Sequence, residues 1–258
     1  LTLSNLDYLK LAKKYGIVRR IIHAHNSQNM FTGINGKIKG ALHTLHKYEL
    51  EKYATDFLAA SIDVKKFKFN SIKRKEMRSK LALENYFVLG NVARLQYQKN
   101  QIFSLYILKH LKKNNKKVKL VFVGDGPDRE KLINKARELG IVNDVLFVGM
   151  KKNINEWLNC FDMFIFPSLF EGLGIALLEA EANGLPIVAS KDVIPAEVKL
   201  NSNFTFISLK SSPKIWSSII RDMKPSGRIP YNKVELNFKE KGWEIASAAN
   251  KLEELLIQ

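Results

Sequence analysis

The sequence holds a single cysteine, Cys160. That excludes an internal disulfide framework and fits a reducing compartment. Its setting, "EWLNCFDMFIF", is apolar, so the thiol reads as packed rather than nucleophilic. No apolar run approaches the roughly 20 residues that a membrane-spanning helix needs. The longest candidates, "FDMFIFPSLF" and "VKLVFVG", are strand-sized. No signal-peptide pattern opens the chain, and its start at Leu1 rather than Met points to an N-terminus lying upstream. Acidic residues are also scarce: 25 Asp plus Glu stand against 42 Lys plus Arg, a net charge of +17. This balance favours anionic partners, namely phosphorylated small molecules, nucleic acid or the anionic face of a membrane. A merely solubilising surface would give the same count. No zinc spacing or RNP-like aromatic motif occurs, so nucleic-acid binding would rest on charge alone.

What is present is a regular alternation from Tyr86 onward. The runs "YFVLGN", "VKLVFVG", "VLFVGM", "MFIFPS", "PIVAS" and "FTFIS" read as strands. Between them, "KNQIFSLYILKHLKKN", "PDREKLINKARELG", "NINEWLNC" and "GIALLEAEANG" read as helices. Near-continuous apolar strands with helical crossovers indicate a parallel sheet covered on both faces, a doubly wound Rossmann-like α/β domain. The first part is different. "LDYLKLAKKYGIVRRIIHAHNSQNM" reads as helix, turn, strand and loop, and "GKIKGALHTLHKYELEKYATDFLAAS" as a long helix leading into a short strand. These pieces are too few to close a sheet. The ending "FKEKGWEIASAANKLEELLIQ" reads as one amphipathic helix, with Trp243, Ile245, Leu252 and Leu255 available for packing. The 258 residues allow one large domain or one and a half ordinary ones. We divide them into 1–61, a partial first domain; 62–240, the complete Rossmann-like domain; and 241–258, a helix expected to return toward the first part.

In doubly wound domains ligands bind beyond the carboxyl ends of the strands, so the residues following each strand carry the chemistry. In "FPSLFEGLGIALLEAEANGLPIVAS", Glu171 lies in the turn after a strand and Glu179 in the second turn of the next helix. Gly172 and Gly174 let the backbone approach a ligand, and the N–H groups of residues 174 to 177 can cradle a phosphate. Glu179 could accept from vicinal hydroxyls such as those of ribose or a sugar. The competing reading makes Glu171 a helix cap and Glu179 a solvated side chain. Gly184 takes the favoured position after the helix. In "VLGNVARLQYQKN", Arg94 and Lys99 stand near the start of a helix, where cations are unfavourable for the helix unless an anion lies between them. "VFVGDGPDREKL" lacks both the G-x-G-x-x-G pattern and the G-K-[ST] of a P-loop, and reads as a tight turn with Pro127 opening a helix.

Together these stretches resemble the retaining glycosyltransferases of family four, which have the two-Rossmann GT-B fold. The likeness runs from about Leu58 to Gln258 and, more loosely, through Leu1 to Lys47. It is carried by "NVARLQYQKN", "LVFVGDGPDREKL", "VLFVGMKKNINEWLNCFDMFIFPS" and above all the E-x7-E stretch "EGLGIALLEAEANGLPIVAS". The resemblance implies that Arg94 and Lys99 bind the diphosphate of a nucleotide-sugar donor, UDP-sugar favoured. It gives Glu171 the donor sugar and Glu179 the ribose. The amides of Gly172, Leu173, Gly174 and Ile175 would meet phosphate and sugar, and the segment from Met150 to Asn153 the base. It makes His25, or less readily His23, the histidine that reaches from the first domain toward the donor sugar. It implies no cofactor and no metal, and no D-x-D stretch occurs here to hold one. The acceptor would be a glycan or a lipid-linked glycan of bacterial exopolysaccharide or capsule. The enzyme would be cytoplasmic, peripheral on the inner face of the membrane.

The chain departs from the family in its first part, where a complete Rossmann domain and its glycine-rich loop are expected. In "DFLAASIDVKKFKFN" the family places a helix, a strand and "PNG" between Ser61 and Ile62, so residues are expected to be missing at that seam. Competing readings are a nucleotide-sugar-binding remnant without activity, a basic nucleic-acid-binding protein, and a GT-B phosphorylase or epimerase. For a phosphorylase, no cofactor-bearing lysine is identifiable.

Overall fold

The computed structural model describes residues 4–18, 20–23, 52–53, 56–58, 61–114, 117–191, 193–223 and 227–257. The chain divides into two compact units, Leu1–Ala60 and Ser61–Gln258. In the first, helix α1 (Ser4–Lys14) ends in a turn closed by Ile17 N–H donating to Ala12 O, at 2.9 Å. Strands β1 (Ile21–His23) and β2 (Asp56–Leu58) pair in parallel, Ile22 opposite Phe57. The helix, turn and two short strands agree with the sequence pattern. His25 lies outside the described residues.

The second unit opens with two helices that the sequence reading did not place, α2 (Val64–Phe67) and α3 (Ser71–Lys80). Both start on side-chain caps. Asp63 accepts from Lys66 N–H, and Asn70 accepts from the N–H groups of Ile72 and Lys73. The sheet follows as β3 (Phe87–Val92), β4 (Val118–Val123), β5 (Val145–Phe147), β6 (Met163–Phe166), β7 (Ile187–Ser190) and β8 (Phe204–Ile207). Their crossovers are helices α4 (Gln101–Asn114), α5 (Arg129–Glu138), α6 (Ile154–Cys160) and α7 (Ile175–Ala182). Helices α8 (Pro213–Met223), α9 (Tyr231–Glu240) and α10 (Ile245–Ile257) follow β8. All pairings in this sheet are parallel, in the order β5-β4-β3-β6-β7-β8.

Alternation along each strand feeds two cores, one per face. Val88, Val121, Phe164, Phe166, Ile187 and Ala189 join one, under α6, α7 and α9. Leu89, Leu120, Phe122, Met163, Ile165 and Val188 join the other, under α4, α5 and α8. This is the doubly wound domain that the apolar runs announced. Gly90, at the middle of β3, is required by packing. A Cβ there would meet the Phe161 ring at 2.0 Å, so only glycine lets that ring sit against the strand. Cys160 is buried, and burial pushes its thiol up to about 11, as expected of a packed cysteine.

Three sequence readings need correction. The ending is not one helix. The α9 helix stops at Glu240, Gly242 takes φ 71°, and α10 begins at Ile245. The break is fixed by pairing: Ile62 N–H donates to Trp243 O at 2.9 Å, and Ile245 N–H to Ile62 O at 3.1 Å. Pro127 precedes α5 in a turn rather than opening it, because the helix starts at Arg129. Helix α8 also went unread, although Trp216, Ile219, Ile220 and Met223 recur at helical spacing. Among the described residues no helix is long and apolar enough to cross a membrane.

The amino ends of β3 and β6 are locked by charge. Asp162 accepts from Val88 N–H at 2.8 Å and from Arg78 at 3.0 Å, and it pairs with Arg74 as well. Asp162 N–H donates back to Val88 O at 2.8 Å. Arg228, half-buried beside them, donates to Phe161 O at 2.7 Å, and desolvation first, then the Arg74 charge, brings its guanidinium down to about 9. Asp162 is the anion that compensates these guanidiniums. Removing one partner of a buried pair costs about 3–5 kcal/mol, and partial solvent access lowers that figure. Asp162→Ala should therefore destabilise the second unit by about 2–4 kcal/mol in urea unfolding, well beyond an ordinary surface substitution.

Candidate functional site

The strand order reverses between β3 and β6. From β3 the chain proceeds to β4 and β5 on one side, then crosses to β6, β7 and β8 on the other. A crevice opens at such a switch point beyond the carboxyl ends of the strands, because the two flanking loops leave in opposite directions. The loop after β3 carries Arg94 and Lys99, and the loop after β6 carries Glu171.

The two loops are laced together. Leu169 N–H donates to Gln98 O at 2.8 Å, Gln98 Nε2 to Phe170 O at 2.9 Å, and Asn100 Nδ2 to Pro167 O at 3.1 Å. Asn100 closes a 3-10 turn over Tyr97–Lys99 in the left-handed region, φ 52°, which asparagine tolerates. The turn aims Lys99 at the neighbouring loop, where Nζ meets Glu171 Oε1 at 2.5 Å. Glu171 is only 5% exposed, and the Lys99 ammonium also lies 5.4 Å from the Phe166 ring centroid. Glu171 is therefore the partner of Lys99. The capping alternative fails, since Gly174 is the N-cap of α7 and makes no side-chain cap bond.

Gly174 adopts φ 72°, a conformation that glycine takes without strain, and it turns the chain into α7. Fewer first-turn amides are free than the sequence suggested. Leu177 N–H is taken by Gly174 O at 2.8 Å, which leaves the amides of Gly174, Ile175 and Ala176 for an anion. Gly172 is buried, Leu173 is half-buried against the core, and Ile175 is exposed. Arg94 is exposed, with its carbonyl held by Gln101 Nε2 at 3.0 Å. Its guanidinium has no ion pair among the described residues. Met150 is 80% exposed beyond β5, and Asn153, at the start of α6, donates to Glu156 at 2.6 Å. The structure thus joins Lys99 to Glu171 directly. Arg94, Met150 and Asn153 stand at strand ends of the same edge, with no hydrogen bond or ion pair to that couple among the described residues.

Glu179 is half-buried and has no hydrogen-bond or ion-pair partner among the described residues. Burial raises its carboxyl above the usual range, with the Lys66 charge opposing. An acceptor placed there without a partner has two free oxygens to offer. Two residues on, Glu181 has the opposite fate. It is fully buried and accepts from Leu200 N–H at 3.0 Å and Asn201 N–H at 2.8 Å, which fastens the segment before β8 to α7. The sequence reading missed it. The signal was its i+4 spacing from Leu177 and i+3 spacing from Leu178, both core residues. It also missed Ser168 and Asn91, whose Oγ and Oδ1 are buried without a partner at these strand ends. Serine and asparagine carry no sequence mark of that state. No cluster of metal-ligating side chains occurs among the described residues.

Glu181 generates a pH prediction. Burial pushes its carboxyl from 4.5 up to about 8, and the Asn201 and Leu200 amides only partly offset this. Between those values the folded chain holds a proton that the unfolded chain has released, so stability falls as pH rises through the window. The urea midpoint should therefore decline from about pH 5 to about pH 8 more steeply in the native chain than in Glu181→Gln. Parallel profiles would refute the assignment.

Residues 73–216, more than half of the chain, match the family described as glycosyl transferases group 1. The putative glycosyltransferase EpsF of Bacillus subtilis is 31% identical over 243 residues, covering 84% of this chain and 62% of its own length. The UDP-Gal:alpha-D-GlcNAc-diphosphoundecaprenol alpha-1,3-galactosyltransferase of Escherichia coli is 33% identical over 134 residues, 50% of this chain and 34% of its own. This chain therefore spans less than two thirds of the length of these curated relatives. Among solved structures, Anabaena HepE in complex with UDP aligns at TM-score 0.76 and 18% identity, over 98% of this chain and 75% of that one. At that identity the likeness is one of fold.

Proposed function

The chain belongs to the group 1 glycosyl transferases and has their GT-B type of α/β fold, and from that premise we infer that it binds a nucleotide-sugar donor and transfers the sugar with retention of configuration. UDP-sugar is the favoured donor, a reading supported by the UDP complex of HepE and the UDP-galactose named for the Escherichia coli relative. One observation carries the proposal: a lysine, a buried carboxylate and the first-turn amides of α7 converge at the switch point of the sheet.

In this reading Arg94, Lys99 and the amides of Gly174, Ile175 and Ala176 receive the diphosphate. Glu171 takes hydroxyls of the donor sugar, Glu179 the ribose, and the surface around Met150 to Asn153 the base. Gly172 and Leu173 bring the backbone up to phosphate and sugar. As the glycosidic bond to phosphate breaks, negative charge grows on the departing diphosphate and positive charge on the sugar. Lys99 and Arg94 stabilise the former, an effect worth more away from water than in it. His25 is assigned to the sugar by resemblance alone. Same-face attack with the leaving phosphate assisting needs neither a protein nucleophile nor a metal. The acceptor is a glycan or lipid-linked glycan in bacterial polysaccharide assembly, met at the anionic inner face of the membrane through the basic surface. The alternative is binding without transfer.

A thermal-shift panel of UDP-, GDP- and ADP-sugars, followed by mass detection of donor hydrolysis, tests the reading. No shift with any donor would sink it, and shifts without turnover would favour binding alone. Glu179→Ala should weaken nucleotide affinity by about tenfold or more, because hydrogen bonds to a charged acceptor contribute roughly 1.5–3 kcal/mol. Unchanged affinity by calorimetry would remove the ribose assignment. Lys99→Ala should lower turnover more than donor affinity, since its charge matters most as the diphosphate departs. Equal losses would indicate uniform ground-state binding instead.

A further inference from the structure

The Lys99–Glu171 pair poses a problem for that reading, on which this inference rests. The two groups assigned to diphosphate and to sugar hydroxyls already engage each other, Nζ against Oε1 at 2.5 Å. Both are largely buried, their side chains 17% and 5% exposed. Among the described residues neither has another hydrogen bond or ion pair, and the Phe166 ring is the only other group interacting with the ammonium. A buried carboxylate does not readily give up its cation, because an unpaired desolvated charge is strongly unfavourable. Oε1 of Glu171 therefore stays engaged until another anion claims Lys99. A sugar carries no charge with which to do this. A diphosphate does.

We propose that Glu171 occupies Lys99 as a built-in stand-in for the donor's diphosphate, so that phosphate binding is what frees both oxygens of Glu171, rather than Oε2 alone, to accept sugar hydroxyls. Lys99 exchanges one anion for another and is never left unpaired. Glu171, stripped of its cation, gains hydroxyl donors in return. The exchange needs only side-chain rotation, because the hydrogen bonds from Gln98 and Asn100 to the loop after β6 hold both backbones in place. Specificity follows. A free sugar cannot open the pair, a nucleoside diphosphate opens it without using Glu171, and a diphosphate-linked sugar does both. Phosphate recognition and sugar recognition are thus coupled through one ion pair.

Calorimetry on the full chain tests this with UDP and UDP-glucose, or with the GDP or ADP equivalents if the donor panel selects them. The proteins are the native chain, Glu171→Gln, Lys99→Met and the double variant. Glu171→Gln should bind the nucleoside diphosphate roughly five- to tenfold tighter, because its lysine no longer has to change partners. It should also lose the extra affinity that the sugar adds. In the Lys99→Met background, Glu171→Gln should gain nothing. Diphosphate binding by Glu171→Gln that is no tighter than native overturns the proposal. So does an equal gain with and without Lys99, which would mark simple removal of a repulsive charge. Thermal melts report whether each variant folds. If Glu171→Gln does not, Glu171→Asp keeps the charge, draws it back by one methylene, and should show the same Lys99-dependent gain. A native chain that binds no nucleoside diphosphate refutes the donor reading itself, whereas binding without coupling refutes only this inference.

Discussion

The pairing of β3 with β6 is the contact on which the second unit depends, and it is short. Leu89 faces Met163 and Gly90 faces Phe164, and there the ladder ends. What keeps so brief a pairing in register is its two ends. At the amino end Asp162 exchanges hydrogen bonds with Val88 and gathers Arg74 and Arg78. At the carboxyl end Gln98 and Asn100 bond the loop after β6. The sheet could be wound in either direction from β3, and this pairing sets where the order reverses. It therefore sets where a ligand can lie.

Charge is handled differently at the two ends. At the amino end, buried and half-buried guanidiniums face one carboxylate and a group of carbonyl oxygens, and each guanidinium has structural targets. That arrangement fixes geometry and offers nothing to a ligand. At the carboxyl end, Lys99 and Glu171 form one ion pair beside the Phe166 ring, while Arg94 and the Glu179 carboxylate form no ion pair among the described residues. Helix α7 shows the contrast within two residues. Glu181 points its carboxylate at backbone amides and serves the fold, while Glu179 is left with open oxygens. Charge that the fold does not spend on its own backbone, carried on a rigid frame, suits recognition of a polyhydroxylated anion.

Membership of the glycosyl transferases group 1 gives this arrangement its chemistry in the reading proposed above. Cations and helix-end amides suit a diphosphate, and carboxylates suit vicinal hydroxyls. A +17 balance is thus compatible with a small-molecule site that contains acids at its centre.

The six strands were legible because β-branched and aromatic runs buried on both faces resemble little else, and the E-x7-E stretch because its glycines and acids sit at a strand-to-helix handover. Helix α3 was not legible, since Lys73, Arg74, Lys75 and Arg78 leave almost no apolar stripe. The final helix was read through Gly242, because periodicity continues across a break that Ile62 imposes from far away in sequence. The sequence by itself determined the fold class, the cations after β3 and the carboxylates around α7, since each depends on local pattern and on position at a strand end. Only the tertiary structure decided that Lys99 holds Glu171, that Glu181 rather than Glu179 is spent on the fold, and that Asp162 fastens the opposite edge. Those outcomes depend on groups that meet across 19 to 74 residues of chain, and a sequence pattern carries no information about the partner a charge will find once it is buried.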